Sequence, residues 1–261
     1  MAQSPGFIDA DKPTHVCKLH KAIYGLKQAS RAWYHELRQF LVDSGFKNSH
    51  SDTSLFILHA GTNLLYLLVY VDDIIITGNS NDLVSQVVEY LAQRFSLKDL
   101  GPLSYFLGVE VVPHRNGLLL SQRRYIKDLL TRTNMQAAKP VHTPLPISSS
   151  FIKLSSGSPL SDPMEYRAIV GSLQYLSLTR LDISFTVNKM SQFMHQPTDE
   201  HWTLVKRILC YLSGTVNDGL LLHCTSPLSL HAFFDADWAG NKDDYSSTGA
   251  YLVYLGNNLI S

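Results

Sequence analysis

The sequence predicts an α+β fold in which helices and short antiparallel strands form β-rich units around a helical segment. Apolar residues make up 45% of the 261 residues and charged residues 17%, which suits a buried core and excludes whole-chain disorder. Segments with apolar side chains every three or four residues alternate with short β-rich runs that end in turn residues. A stretch rich in proline and serine, residues 136–163, interrupts this pattern and predicts an extended linker.

Charge and cysteine content exclude several classes of protein. The 22 basic and 22 acidic residues cancel, which excludes a strongly cationic nucleic-acid-coating protein but leaves room for a local basic groove. The three cysteines are widely spaced without a CxxC pair, so we expect no disulfide framework or zinc site and favour a reducing, intracellular compartment. The start lacks a signal-peptide-like apolar core, and the longest apolar run, residues 64–71, is far below the ~20 residues that cross a bilayer. We therefore expect no membrane association.

The first helix is predicted to begin near Gly25. One stripe of it is apolar: Trp33, Leu37, Phe40 and Leu41. Another stripe of the same predicted helix is cationic: Lys27, Arg31 and Arg38. The next runs, residues 54–59, 64–71 and 74–77, predict antiparallel strands with Asp72 and Asp73 at a hairpin tip.

Residues 79–82 predict a helix start, and apolar residues continue at helical spacing to Phe95. Residues 105–112 and 118–121 predict a second hairpin around Asn116-Gly117, followed by a basic helix from Arg123 to Arg132. Beyond the linker, residues 164–218 predict helices. Residues 220–224, 228–234 and 249–255 predict the strands of another β-rich unit.

Asp72 and Asp73 are the sharpest chemical signal. Two adjacent carboxylates beside an apolar sheet repel each other and lose hydration, and a divalent cation compensates for both effects. Hard carboxylate oxygens suit Mg²⁺. The alternative for the motif YVDD, residues 70–73, is a solvent-exposed turn that closes a hairpin and binds no metal.

The stretch GLKQASRAWY, residues 25–34, adds a second signal. Its glycine lets the backbone approach a ligand closely, and its cationic side chains suit phosphate groups. The alternative is a solvated basic helix face. Together with a carboxylate hairpin about forty residues later, the stretch favours phosphoryl transfer.

The sequence as a whole resembles the reverse transcriptase of copia-type LTR retrotransposons. Six stretches carry the resemblance in the family's order: KAIYGLKQASRAWY (21–34), YVDD (70–73), LKDLGPLSYFLGVEV (97–111), YRAIVGSLQYLSLTRLDI (166–183), KRILCYLSGT (206–215) and DADWAG (235–240). The resemblance implies a reverse-transcriptase palm and primer-grip region over residues 1–135, the linker, and a helical thumb and connection over 164–218. It also implies the first part of a ribonuclease H-like α/β unit over residues 219–261.

The resemblance also implies roles for individual residues. Asp72 and Asp73 match the palm aspartates that hold the catalytic Mg²⁺ ions, and Asp235 matches the first metal-binding acid of ribonuclease H, with an edge-strand charge as its alternative. The expected nucleotide and template contacts are Gly25, Lys27, Gln28, Arg31, Tyr70 and Lys98. The expected primer grip is Phe106, Leu107 and Gly108. The implied partners are primer–template duplexes of RNA and DNA, deoxynucleoside triphosphates and the rest of a Pol polyprotein, in a cytoplasmic virus-like particle or the nucleus.

The sequence departs from the family's pattern in several places. Ser30 and Leu181 stand where the family usually has proline. Residues 1–7 resemble the segment just after the family's first catalytic aspartate, so we expect that carboxylate upstream of Met1; Asp9 and Asp11 are poor substitutes in a loop. We also expect the remaining ribonuclease H carboxylates beyond Ser261.

The sequence therefore leaves three functions open. The first is, by resemblance, an RNA-directed DNA polymerase segment that depends on Mg²⁺ at Asp72 and Asp73, and we expect this chain alone to be inactive. The second is a catalytically inactive retroelement remnant that at most binds nucleic acid or a partner. The third is an unrelated metal-dependent enzyme built around the same pair, which would turn over without nucleic acid.

Overall fold

The computed structural model describes residues 2–19, 23, 25–146, 153, 156–241 and 243–261. The chain divides into two compact units, Met1–Gly101 and Pro102–Ser261, and each is described by itself. Both units combine helices with antiparallel sheets, so the predicted mixture of helices and antiparallel strands is confirmed. This division follows spatial contacts, and the domain limits predicted from the sequence stay predictions.

The first unit is a four-stranded antiparallel sheet covered by two helices. Its elements are α1 (Ala29–Asp43), β1 (Lys47–Asn48), β2 (Leu55–Ala60), β3 (Asn63–Tyr70), β4 (Asp73–Gly78) and α2 (Asn81–Arg94). The strands lie side by side in chain order, β1-β2-β3-β4. Short turns join β2, β3 and β4, as the sequence predicts.

Strand β3 is apolar or aromatic from its second residue onward, yet the sheet has one covered and one open face. Leu65, Leu67 and Val69 are buried beneath the helices, whereas Tyr66 and Tyr70 on the opposite face are exposed. The helices contribute their apolar stripes to this core, α1 through Leu37 and Leu41 and α2 through Val87 and Leu91. The open face of the sheet is therefore free of these helices and rich in tyrosine.

The second unit contains two sheets and a helical cluster. Its first sheet contains β5 (Tyr105–Phe106), β6 (Val109–His114), β7 (Gly117–Ser121) and β8 (Leu220–His223). Its helices are α3 (Arg123–Arg132), α4 (Met164–Leu176), α5 (Ser184–Ser191) and α6 (Asp199–Gly214), with a 3₁₀ turn at Leu181–Ile183. Its second sheet is formed by β9 (Leu230–Ala236), β10 (Gly249–Leu255) and β11 (Asn258–Leu259).

The helices of the second unit share one apolar core. Each of α3, α4, α5 and α6 buries one side in it, through side chains three or four residues apart. Arg180, between α4 and the 3₁₀ turn, is 1% exposed, and Asp182 accepts two hydrogen bonds from it. A buried charge of this kind is tolerated because it is paired and hydrogen-bonded.

Two placements differ from the sequence-based expectation. Strand β8 was expected to open the last β-rich unit, but it pairs with β7 along four residues. The sequence of β8, LLLH, shows no alternation of apolar and polar residues, so it does not indicate which strand β8 pairs with. The hairpin expected over 105–121 also contains an extra turn, because Leu107 and Gly108 separate β5 from β6.

The described parts of the predicted linker lie against the helical cluster. Leu145 and Leu160 pack on its core, and the amide of Leu160 donates to the carbonyl of Pro197 at 3.0 Å. Residues 147–152, 154 and 155 of that linker lie outside the described residues. Among the helices in the described part of the chain, none combines the length and apolarity needed to span a membrane.

Candidate active site

The two predicted metal ligands lie at the tight turn between β3 and β4. Tyr70 pairs with Asp73, which leaves Val71 and Asp72 as a two-residue loop. Both carboxylates are exposed. Val71 has φ of +52°, a left-handed conformation that a β-branched residue rarely adopts. The strained residue thus lies directly beside Asp72.

The pairing also fixes which face of the sheet the turn serves. Directly opposed residues of an antiparallel pair project to the same face, so Asp73 lies on the face of Tyr70. That face is the open one, since Leu67 and Val69 point into the core. Leu68 and then Tyr66 follow Tyr70 on this face, two and four residues further from the turn, and Tyr66 is exposed. The acids therefore stand at the edge of an open surface lined by aromatic side chains.

Helix α1 begins at the same end of the sheet as this turn. The hydroxyl of Tyr34 donates to the carbonyl of Thr53 at 2.6 Å. The next residue, Ser54, accepts a 2.9 Å hydrogen bond from the amide of Val69, immediately before Tyr70. The first half of α1 is therefore fastened beside the end of β3 that carries the acids.

The start of α1 differs from the predicted cationic stripe. The helix begins at Ala29, so Lys27 lies in the preceding turn rather than on the helix with Arg31 and Arg38. Gly25 has φ of +88°, a left-handed conformation that favours glycine. The prediction that Lys27 shares a helical stripe with Arg31 and Arg38 was wrong. The spacing counted residues 25–28 as helical, whereas they form the turn that precedes the helix. The side chains of Lys27, Gln28 and Arg31 are all exposed.

Helix α2 returns to this end of the sheet. It starts after β4, at the end of the sheet opposite the turn, and it lies antiparallel to α1. The ring of Tyr90 stacks on that of Phe40 with 4.7 Å between centroids, and the Arg94 guanidinium lies 3.8 Å from the Glu36 carboxylate. Lys98 follows the end of α2 and is exposed. Three separate segments thus lie toward the same end of the sheet. They carry Lys27–Arg31, Asp72–Asp73 and Lys98.

The donor set at the turn fits Mg²⁺ only in part. Asp72 and Asp73 supply hard carboxylate oxygens, and Mg²⁺ is commonly held by one or two carboxylates together with water and substrate phosphates. Within the described ranges there is no group of three or more histidine, cysteine, aspartate or glutamate side chains that could hold a metal ion. The pair therefore suits an ion that arrives with a phosphate-bearing ligand, not an ion enclosed by the protein.

The predicted primer grip forms a tight turn in the second unit. Phe106 pairs with Val109, and the two residues between them have positive φ, +46° at Leu107 and +76° at Gly108. This is the pattern of a type I′ hairpin turn, for which Leu is an unusual first residue. The hydroxyl of Tyr175 donates to the carbonyl of Leu107.

Asp235 lies in the other sheet of the second unit. It sits on β9 opposite Ala250 of β10, and its carboxylate accepts a 2.8 Å hydrogen bond from the amide of Ala236. Asp235 is exposed, as is every residue of β9. It therefore lies on a different sheet from the Phe106–Gly108 turn.

Comparison with known proteins decides the family. Residues 1–147 match the reverse transcriptase (RNA-dependent DNA polymerase) family. The chain belongs to this family. The resemblance to copia-type elements is also confirmed, because relatives of that kind match the chain over its whole length.

Three relatives illustrate the match. The chain is 60% identical to the retrovirus-related Pol polyprotein from transposon RE1 of Arabidopsis thaliana, over all of this chain and 18% of that protein. It is 38% identical to the Pol polyprotein from transposon TNT 1-94 of Nicotiana tabacum, over all of this chain and 20% of that protein. It is 32% identical to a putative transposon Ty5-1 protein of Saccharomyces cerevisiae, over 97% of this chain and 82% of that protein.

The chain thus spans about a fifth of the length of the Pol polyproteins it matches, 18% of one and 20% of another. No solved structure matches it.

The structure of this reverse transcriptase family member brings together some of the predicted site residues. Those of the first unit belong to segments that meet at one end of its sheet: Gly25, Lys27, Gln28, Arg31, Tyr70, Asp72, Asp73 and Lys98. Those of the second unit are split between two sheets: Phe106, Leu107 and Gly108 on one and Asp235 on the other.

Sequence reasoning overlooked three residues of these sites. Val71 carries the left-handed turn, Tyr34 fastens the start of α1, and Tyr175 contacts the primer-grip turn. Two apolar runs joined by two residues signal a tight turn, but they place it at Asp72-Asp73, one residue later than the Val71–Asp72 loop of the structure. Nothing in the spacing of Tyr34 or Tyr175 signals their distant partners.

Proposed function

We propose that the chain is the polymerase core segment of a Pol polyprotein, an RNA-directed DNA polymerase with its active site at the Val71–Asp72 turn. The observation that carries the proposal is the meeting of the carboxylate turn and the basic start of α1 at one end of a sheet whose face is open. In the reaction the 3′-hydroxyl of a primer attacks the α-phosphate of a deoxynucleoside triphosphate, the new phosphodiester bond forms, and pyrophosphate leaves.

The proposal gives each segment a part. Asp72 and Asp73 would hold Mg²⁺, which supplies neutralising charge to the phosphate oxygens. Lys27, Arg31 and Lys98 contribute cationic side chains to the triphosphate or to the template backbone. The exposed ring of Tyr70 lies beside Asp73 and is suited to packing against the primer end.

The second unit supplies the remaining proposed parts. The helical cluster is assigned to the thumb and connection, and the Phe106–Gly108 turn to contact with the primer strand. The sheet of β9, β10 and β11 is assigned to the start of a ribonuclease H-like unit with Asp235 as its first metal ligand. What supports this last assignment is the antiparallel order of the three strands and the exposed position of Asp235.

The proposed partners follow from the same chemistry. Primer–template duplexes would bind chiefly through their phosphates, so we expect binding to weaken as salt rises. The rest of a Pol polyprotein is a proposed partner because the matched Pol polyproteins are about five times longer than the shared segment. An intracellular site of action, in virus-like particles or the nucleus, remains part of the proposal.

The test is primer extension on an RNA template with Mg²⁺, comparing the chain with its Asp72→Asn variant. Extension by the unmodified chain that is lost in the variant, with salt-sensitive duplex binding retained in both, would support the proposal. Equal extension by both proteins would exclude Asp72 from catalysis.

A second candidate function is binding of nucleic acid without polymerisation. The observation that favours it is that the turn offers two carboxylates, whereas a two-metal reaction needs carboxylates that bridge both ions. Absence of extension by either protein, together with tight and salt-sensitive duplex binding, would establish this second function for the isolated chain.

A further inference from the structure

Tyr175 connects two parts of the second unit that are distant in sequence. It lies one residue before the end of α4, and its hydroxyl donates to the carbonyl of Leu107, 68 positions earlier in the chain. Leu107 is the first loop residue of the β5–β6 turn, which the proposed function assigns to the primer strand. A helix of the thumb and connection region thus touches the backbone of the primer-grip turn.

The turn that receives this hydrogen bond holds an unfavourable conformation. Leu107 has φ of +46°, where an L-residue other than glycine, asparagine or aspartate is uncommon. Gly108 has φ of +76°, and a Cβ atom placed on it would collide with the Tyr175 hydroxyl. The glycine and the tyrosine therefore fit each other, and an external contact offsets the strain at Leu107.

Tyr175 is itself held in place by its neighbours. Its ring packs against Tyr125 with 5.0 Å between centroids. Its backbone carbonyl accepts from the side chain of Gln122 at 3.4 Å, and the other side of that buried amide accepts from the Thr179 hydroxyl at 2.8 Å. The hydroxyl that meets Leu107 therefore projects from a fixed support.

We propose that Tyr175 is a positioning residue, which holds the Phe106–Gly108 turn in the shape that meets the primer strand. This proposal rests on the proposed function, because positioning the turn affects primer binding only if the turn contacts nucleic acid. Without the hydroxyl, Leu107 is released from its left-handed conformation, and the turn exchanges among other shapes. Tyr175 itself need not touch the nucleic acid.

The experiment compares Tyr175→Phe with a matched control, Tyr211→Phe. Each variant of the full chain loses one hydroxyl donor in the second unit, since the Tyr211 hydroxyl donates to Asp182 at 2.8 Å, away from the turn. Fluorescence anisotropy would give two dissociation constants, for an RNA template carrying a recessed DNA primer and for the same template unprimed. Their ratio reports recognition of the primer. Hydrogen exchange of residues 105–110 would report the order of the turn.

We expect Tyr175→Phe to reduce the preference for primed template roughly two- to tenfold, the effect of losing one hydrogen bond, and to speed exchange at the turn. The control should leave both quantities unchanged. Adding Leu107→Asn to Tyr175→Phe creates an Asn-Gly turn, which favours type I′ geometry without help. This double variant should regain slow exchange at the turn.

Three results would overturn the proposal. If the unmodified chain prefers primed template and Tyr175→Phe keeps that preference, the positioning role fails while the proposed function stands. If the unmodified chain shows no preference, the assigned role of the turn fails, and the role of Tyr175 fails with it. If Tyr175→Phe and Tyr211→Phe reduce the preference equally, the tyrosine is structural only.

Discussion

The hydroxyl of Tyr34 donates a 2.6 Å hydrogen bond to the backbone carbonyl of Thr53. This bond joins the first half of α1 to the chain just before β2, beside the residues that lead to the Asp72–Asp73 turn. Because Lys27 and Arg31 flank the start of α1, the bond also determines where their charges lie relative to the carboxylates. The hydrogen bond is thus a structural link between the two sequence motifs of the candidate site.

Replacing Tyr34 by phenylalanine is expected to weaken both stability and ligand binding. Loss of one net hydrogen bond costs about 0.5–1.5 kcal/mol of unfolding free energy, measured by urea denaturation. Binding of a deoxynucleoside triphosphate with Mg²⁺ should weaken as well, because the start of α1 loses its anchor. Tyr90→Phe is the matched control, since Tyr90 also contacts α1, through ring stacking with Phe40. Equal binding by both variants would contradict the link.

Replacing Val71 by asparagine is expected to stabilise the first unit. Val71 is 61% exposed and has φ of +52°, so its side chain gains little from burial and strains the backbone. Asparagine adopts this conformation more readily, and we expect a gain of about 1 kcal/mol in unfolding free energy. Val112→Asn is the control, because Val112 is also exposed but lies in a regular strand, where asparagine is disfavoured. A loss of stability in both variants would show that Val71 is not strained.

Removing one partner of the Arg180–Asp182 pair is expected to destabilise the second unit strongly. Arg180 donates to Asp182 at 2.7 Å and is almost fully buried, so Asp182→Ala leaves an uncompensated charge and should cost about 3–5 kcal/mol. Burial alone would raise the pKa of Asp182, but hydrogen bonds from Arg180 and Tyr211 outweigh it and hold that pKa below its ordinary value. The double variant Arg180→Met/Asp182→Ala should be more stable than Asp182→Ala in urea. An equally or less stable double variant would contradict the argument.

The stability of the second unit is expected to decrease as the pH is lowered, because of His201. This ring is buried, its Nδ1 atom accepts from the amide of Thr198 at 3.1 Å, and burial lowers its pKa below the ordinary 6.5. The unfolded chain then binds a proton first, so the contribution of His201 is complete above about pH 6.5 and is lost as pH falls toward the folded-state pKa. Urea unfolding at pH 7.5 and pH 5.5 would measure this loss.

The control for the pH prediction is His201→Gln. Glutamine at this third helical position preserves the reciprocal cap with Thr198 and carries no titrating group. We expect the variant to show a smaller loss of stability between the two pH values. The same loss in both proteins would assign the pH dependence to other groups.

Several elements of the fold could be predicted from local pattern. The apolar run before Asp72 and the isoleucines after Asp73 predict a hairpin, because two strands joined by two residues must pair antiparallel. The stripe of Leu37 and Leu41 likewise predicts which side of α1 is buried. These features depend on neighbours in sequence, so the sequence alone contains the information.

Contacts between distant segments could not be predicted in this way. The spacing placed Lys27 on a helix because it does not show the left-handed turn at Gly25. The pairing of β8 with β7 joins residues about a hundred positions apart, and an evenly apolar strand carries no mark of its partner. The contact of Tyr175 with Leu107 depends on how α4 packs, which no local motif encodes.

The most direct test of the central claim is metal-directed cleavage of the backbone. Fe²⁺ in place of Mg²⁺, with peroxide and a deoxynucleoside triphosphate, generates radicals that cut the chain near the bound ion. Because three segments meet at one end of the sheet, we predict cuts near Asp72, near Lys27 and near Lys98, all lost in Asp72→Asn. Cuts confined to residues 70–73, or unchanged in the variant, would contradict a shared site.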